Sequence, residues 1–147
     1  MTNYAFTFRT WPFYWLTRAT GRYLRNMEHA LKPHSLDIPQ WRVLMTLHEA
    51  ECLSVSEIAD HAIAKLSTMT KIVRRMEADE LVHCRQRETD ARVTEVLLTP
   101  GGQAAGELAW QVANTVYKRA FRNLSKREID TLNLLLMKVA ENLKVDE

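Results

Sequence analysis

Between Lys65 and Asp79 the chain carries Ser67, Thr68, Thr70, Lys71, Arg74 and Arg75, interleaved with Leu66, Met69, Val73 and Met76. The apolar four recur at three- and four-residue steps, so at about 100° per residue they form one face of a helix. Ser67, Lys71 and Arg74 then point the other way, flanked by Thr68, Thr70 and Arg75. Short hydroxyls can approach base edges closely, and long cations reach bases or phosphates, so this face suits contact with duplex nucleic acid. A polar helix face is equally what any solvated helix presents. What distinguishes this one is the segment that follows: Glu88-Thr89-Asp90-Ala91-Arg92, a polar, charged junction between two short strand-like runs. Arg92 at such a tip suits a narrow minor groove, where the negative potential is enhanced. Asp90 would be repelled by phosphates, and its expected role is to orient a neighbouring arginine.

Other groupings carry weaker chemistry. Trp11, Phe13, Tyr14, Trp15, Trp41 and Trp110 form an aromatic supply that suits either a ligand pocket or a core and dimer interface. Read as a pocket, it would be lined by Trp15, Trp41 and Trp110, with Arg18 and His34 available to hold a carboxylate. His48 and Cys52 are four residues apart, a spacing that zinc tolerates on one helical face, but no second ligand cluster accompanies them. Cys84 lies near Arg85 and Arg87, which permits a reactive thiolate, against the default of a half-buried structural cysteine. Gly102 and Gly106 match no phosphate-binding or dinucleotide loop and are read as close packing at a helix start. There is no nucleophile with a positioned base and no paired-carboxylate site, so no catalytic residue, cofactor or metal site is expected and the chain is not expected to be an enzyme.

The elements that must position these residues follow from periodicity and caps. A first helix starts at Pro12, carries Phe13, Leu16, Thr20, Tyr23, Met27 and Leu31 on one stripe, and is stopped by Pro33. A second opens at Pro39 and runs to about Ala50. Ser54-Val55-Ser56-Glu57 is a capping box, beginning a short helix from Val55 to about His61. The polar-faced helix comes next. Leu81 to Arg87 and Val93 to Thr99 read as two short strands joined at the charged tip. Thr99-Pro100 starts a long alanine-rich helix to about Asn123. Ser125-Lys126-Arg127-Glu128 is a second capping box, opening a last helix with Ile129, Leu132, Leu136, Val139 and Leu143 on one stripe. A short helix, a tight turn and a polar-faced helix make a helix-turn-helix, and the hairpin behind it is a wing.

Composition agrees with this mainly helical reading. The chain has 147 residues, 46% hydrophobic and 26% charged, with only 4 glycines and 4 prolines. So few turn-formers cannot serve a sandwich or barrel. Net charge is +2, so any attraction to phosphate must come from its distribution, which concentrates Lys65, Lys71, Arg74, Arg75, Arg85, Arg87 and Arg92 in one stretch. Two cysteines make no disulfide framework. The aromatic run Trp11 to Leu16 is cut short by Thr17-Arg18 and is not expected to be a signal peptide. No run reaches the ~18 apolar residues of a membrane span, and a cytoplasmic protein with no membrane partner is expected.

From Pro39-Gln40-Trp41-Arg42-Val43-Leu44 to Gly102 the chain closely resembles the MarR family of winged-helix transcription regulators. Ser67-Thr68-Met69-Thr70-Lys71-Ile72-Val73-Arg74-Arg75-Met76-Glu77 is similar to that family's recognition helix. Asp90-Ala91-Arg92 resembles its wing tip, and Leu98-Thr99-Pro100-Gly101-Gly102 its strand-to-helix junction. Two departures stand out. Arg74 replaces the acid that many members carry, and the loop His61-Ala62-Ile63-Ala64 lacks the glycine often found there.

The resemblance implies a mainly α fold with a small β-hairpin: a winged helix-turn-helix with N- and C-terminal dimerisation helices. One domain over 1–147 is expected, with the winged helix at about 38–99 and dimerisation helices at about 11–32 and 100–144. It implies a homodimer that binds a pseudo-palindromic operator in double-stranded DNA. It also implies a repressor released by a small-molecule effector, an aromatic carboxylate or phenol. The DNA-binding residues carried over are Ser67, Thr68, Thr70, Lys71, Arg74, Arg75, Asp90 and Arg92. The competing readings are a redox- or metal-responsive regulator of the same fold and a helical adaptor that binds no DNA.

Overall fold

A computed structural model describes residues 7–145; the expected domain's residues 1–6 and 146–147 lie outside the described residues. The chain divides into two compact units, one up to Val116 and one from Tyr117 onward.

In the first unit, α1 (Pro12–Leu31) begins on its proline, whose fixed φ suits a first turn with no N–H to satisfy. Only Met27 and Leu31 of its apolar stripe are buried; Phe13 and Tyr23 stay exposed. A short 3-10 turn over Lys32–His34 leads to Ser35 at φ 56°. Helix α2 (Ile38–His48) opens one residue before Pro39. Its start is set by a reciprocal capping box: Gln40 N–H donates to Asp37 Oδ1 (2.9 Å) and Asp37 N–H to Gln40 Oε1 (3.0 Å). It ends at His48, two residues before the expected Ala50.

Strand β1 (Leu53–Ser54) was not expected, because two residues carry no periodicity. Helix α3 (Val55–His61) has the expected bounds, with Ser54 and Glu57 forming the capping box. The turn after it closes as a Schellman motif: Ala64 N–H reaches Ala59 O (2.9 Å) and Ile63 N–H reaches Asp60 O (3.1 Å). The left-handed position that usually takes glycine is Ile63, at φ 51°.

Helix α4 (Leu66–Ala78) buries Met69, Val73 and Met76. Leu66 departs from the expected apolar face: at the first helical position it lies past the packed stripe and is exposed. Strands β2 (Val82–Arg87) and β3 (Asp90–Leu98) form the hairpin, with β3 three residues longer at its start than expected. The tip is therefore only Glu88-Thr89. The sheet is antiparallel in the order β1-β3-β2, pairing Ser54 with Glu95 and Arg85 with Glu95 across β3, with a bulge between Gln86 and Arg87. Helix α5 (Pro100–Ala120) starts with Thr99 as its cap, Gly102 N–H donating to Thr99 Oγ1 at 2.9 Å. One core of Met27, Leu31, Leu44, Ile58, Met69, Met76, Val82, Val96 and Ala109 holds this unit together.

In the second unit, Ser125 and Glu128 form the expected capping box of α6 (Lys126–Asn142). No residue of α6 is buried, and Leu132, Leu134, Leu135, Leu136, Met137, Val139 and Leu143 are exposed. A helix so apolar has no means within this unit to cover its stripe.

Candidate nucleic-acid interface

Helix α4 presents Ser67, Thr68, Lys71, Arg74 and Arg75 to solvent, with Thr70 half-buried beside them. Thr70 Oγ1 donates back to Leu66 O (2.9 Å), so its hydroxyl is partly occupied by its own helix. Arg75 has a different use. Its Nη2 lies 2.8 Å from Asp37 Oδ2, tying α4 to the cap of α2. Sequence reasoning placed Arg75 with the DNA-facing cations; the structure gives its guanidinium a partner 38 residues away.

The wing is fastened to the helix from two sides. Cys84 N–H donates to Glu77 Oε1 of α4 (2.9 Å), and at the turn that follows α4 Thr99 N–H donates to Leu81 O (3.2 Å) and its hydroxyl to Glu80 O. Between helix and wing runs a groove of about 530 Å³, shared by Ser56, Thr70 and Arg74 with Arg87, Arg92 and Thr94. At the wing, Asp90 accepts from Arg92 three times: from its backbone N–H (3.1 Å), Nε (3.0 Å) and Nη2 (3.2 Å). Hydrogen bonding to Arg92 holds the Asp90 carboxyl below its usual pKa. The guanidinium is thus oriented while 91% of its side chain stays exposed.

Two further arginines converge on one carboxylate. Glu95 accepts from Arg87 Nε at 2.8 Å and from Arg85 Nε at 3.1 Å, and these bonds lower its pKa. Glu57 lies 3.9 Å from Arg87 Nη2; its own pKa is lowered first by Ser54, whose backbone N–H and hydroxyl it meets in the capping box.

The aromatic residues separate into two groups. Trp41 lies 5.9 Å from Trp110, and His48 stacks on Trp110 at 6.0 Å, an arrangement that gives His48 a ring partner. Trp15 donates to Arg9 O (2.8 Å) and packs on Tyr14, over which Arg18 also lies at 5.2 Å. Arg18 lines a shallow groove of its own on α1 with Arg22 and Arg25. His34 sits exposed in the 3-10 turn. A cavity of about 400 Å³ does open at Trp41, lined also by Tyr23, Arg42, Met45, Thr46 and the turn residues His61 to Ile63. Of the five expected ligand residues, only Trp41 lines it. Arg42 lines the same opening, but as the immediate neighbour of Trp41 on α2 it stands about 100° round the helix, so helical spacing carries no sign that the two converge.

Among the described residues, no group of three or more His, Cys, Asp or Glu is placed to hold a metal. Nor is any helix among them long and apolar enough to cross a membrane. Burial, and then Glu77, push the Cys84 thiol up to about 11, which works against a thiolate there.

A family model described as MarR family matches residues 36–94. IacR of Pseudomonas putida, an HTH-type transcriptional repressor, is 47% identical over 133 residues, covering 90% of this chain and 80% of that protein. The chain belongs to the MarR family. As a MarR-family protein it is a DNA-binding transcription regulator with a winged-helix fold. Escherichia coli MarR, in a mutant form solved with operator DNA, superposes with a TM-score of 0.75 at 26% identity, over 84% of this chain and 89% of that one. BpsR of Bordetella bronchiseptica, whose DNA binding is regulated by 6-hydroxynicotinic acid, shares the fold with a TM-score of 0.75 at 24% identity, over 85% and 95%.

Proposed function

We propose that this MarR-family regulator is a cytoplasmic repressor that grips a pseudo-palindromic operator as a homodimer and is released by a small aromatic acid or phenol. The observation that carries the DNA part is the groove in which Arg74 of α4 and Arg87 and Arg92 of the wing meet. In the proposed complex, Ser67, Thr68, Thr70, Lys71 and Arg74 enter the major groove, which at about 12 Å admits a helix. Arg92, aimed by Asp90, enters the minor groove. Arg75, bound to Asp37, holds the pose of α4. Two-fold symmetry separates the half-sites by about one helical turn, roughly 34 Å.

The homodimer reading is supported by the uncovered leucine stripe of α6 and the exposed aromatics Phe13 and Trp15 of α1. The effector reading is supported by the cavity at Trp41. Its size falls at the small end of ligand pockets of roughly 300–1,000 Å³, and it combines an aromatic wall with the cation of Arg42. An aromatic acid offers the matching ring and carboxylate. BpsR, which answers to 6-hydroxynicotinic acid, gives that class a precedent in this fold.

DNA binding is tested with Lys71→Ala and Arg74→Ala. Where the residue reads a base, specific binding weakens by about 1–3 kcal/mol; where it meets phosphate, binding weakens on every sequence and the salt slope falls by about 1. Unchanged affinity in both variants refutes this surface. The effector is tested by titrating benzoates, phenylacetates and cinnamates against tryptophan fluorescence and operator release. Arg42→Ala should abolish the response to acids while leaving DNA binding intact. Release that is equally strong from Arg42→Ala refutes its role.

A further inference from the structure

The two arginines that end β2 are not independent surface charges. Arg85 and Glu95 are direct cross-strand partners, which puts their side chains on the same face of the sheet. Arg87 pairs with Asp90 instead of the Val93 that a regular ladder would give it, the register shifting between Gln86 and Arg87, and its long side chain reaches Glu95. Its Nε comes to 2.8 Å of Glu95, and only 11% of the Glu95 side chain remains exposed. A guanidinium has five N–H donors in a rigid fork, so binding through Nε leaves its Nη groups to face elsewhere. Arg87 faces the groove it shares with Arg74 and Arg92; its second carboxylate neighbour, Glu57, comes no closer than 3.9 Å.

We propose that Glu95 is a positioning residue of the DNA interface, holding Arg87, with Arg85 beside it, so that the Nη edge of Arg87 meets a backbone phosphate. This rests on the groove between α4 and the wing being the DNA face. Counting charges gives the opposite expectation, because an acid next to a phosphate contact opposes binding. A freed arginine, however, must lose its side-chain freedom each time it binds, whereas Arg87 is already ordered.

The two views differ in sign, and Glu95→Gln separates them. The probe is a fluorescein-labelled duplex of mixed sequence, because sequence-independent binding reads phosphate contacts directly. Anisotropy is measured across a salt series on full-length protein. The expected result is binding several-fold weaker in Glu95→Gln despite the gain of one positive charge, with a salt slope no steeper. Arg87→Gln should lower the slope by about 1. In an Arg85→Gln/Arg87→Gln background, Glu95→Gln should weaken nothing further. Tighter or unchanged binding by Glu95→Gln overturns the proposal. So does weakening that persists in the double-arginine background, since the loss would then be structural. Should Glu95→Gln fail to fold, Arg87→Gln decides alone: wild-type affinity and slope overturn the proposal. Lys71→Ala and Arg92→Ala run in parallel. If they too leave binding unchanged, the groove itself is not the DNA face; if they weaken it while the Glu95 and Arg87 variants do not, only the role of Glu95 falls.

Discussion

Gly102 is the position where one added carbon should do most harm. It is buried in the first turn of α5, against the backbone of Leu81. A Cβ built there overlaps the Leu81 carbonyl oxygen and comes within 2.8 Å of its carbonyl carbon, closer than real Cβ contacts. The neighbour is backbone and cannot rotate away, so α5 or the Leu81 peptide must shift by more than an ångström. That peptide oxygen also accepts from Thr99 N–H, and the Thr99 hydroxyl bonds Glu80 O, so the shift strains the clasp between wing and recognition helix. Overpacking of this kind costs about 1–3 kcal/mol, and each strained hydrogen bond about 1 more. Alanine regains up to about 1 kcal/mol as the better helix former. The net expectation for Gly102→Ala is a loss of about 2–4 kcal/mol, or roughly 6–12 °C in Tm for a chain of this length. Gly21, with nothing within 4 Å, and Gly106, with Leu44 Cβ at 3.9 Å, are the controls. Both alanines there should be neutral or stabilising by up to about 1 kcal/mol. Urea unfolding at one fixed protein concentration makes the comparison, since the homodimer proposed above would make stability depend on concentration. A Gly102→Ala protein within about 0.5 kcal/mol of the parent would refute the reasoning, because surface-level effects are of that size.

Three other outcomes follow from the same geometry. Ile63→Gly should stabilise the fold by about 1 kcal/mol net, because a non-glycine residue in the left-handed region costs roughly 1–2 kcal/mol and glycine adds unfolded-state entropy; calorimetry checks it. The Cys84 thiol has a native pKa raised to about 11, by burial first and by Glu77 second. Its contribution is therefore complete below the unfolded value of about 8.5 and is lost as pH rises towards 11, so the alkaline loss of stability should be smaller in Cys84→Ala. Deleting 126–147 removes the uncovered α6 stripe and should abolish the dimer in light scattering; a well-behaved dimer without those residues would contradict the assembly proposed.

What was legible in the sequence was local. The boxes at Ser54 and Ser125 were readable because cap and partner stand three residues apart, and Val55–His61 followed directly. The third box, Asp37 with Gln40, was hidden because its cap is an Asp where the usual signature has Ser or Thr, and Pro39 is by itself a helix-start residue. Strand β1 was too short to show alternation, yet it supplies the third strand of the sheet. The site divided in the same way. The exposed face of α4 followed from helical spacing, and the Asp90–Arg92 pair from proximity. The Arg75–Asp37 pair joins residues 38 apart, and the convergence of Arg85 and Arg87 on Glu95 depends on strand register. Neither leaves a trace in composition. The expected ligand set divided because Trp15 and Arg18 share Tyr14 near the start of α1, whereas Trp41 faces a cavity between α1, α2 and the turn after α3.

That cavity and the recognition helix share one piece of chain. His61, Ala62 and Ile63 line the cavity, and three residues beyond Ile63 α4 begins. Ile63 is held at φ 51° with 95% of its surface exposed, so burial of its side chain does not explain the conformation. The Schellman bonds from Ala64 and Ile63 back to Ala59 and Asp60 hold it there instead. A β-branched residue in the left-handed region stores strain, and any second, relaxed conformation of the turn would release it. On the effector reading proposed above, a ligand at Trp41 would contact this turn directly and bias the choice between the two. It can do so only by its differential affinity for them. A typical coupling of 1–3 kcal/mol, enough for a 5- to 150-fold change in operator affinity, is comparable to the strain one such residue holds. Glycine at 63 would remove that strain. It would therefore be expected to make the protein more stable and its operator less responsive to the effector, two changes that a merely permissive loop would not link.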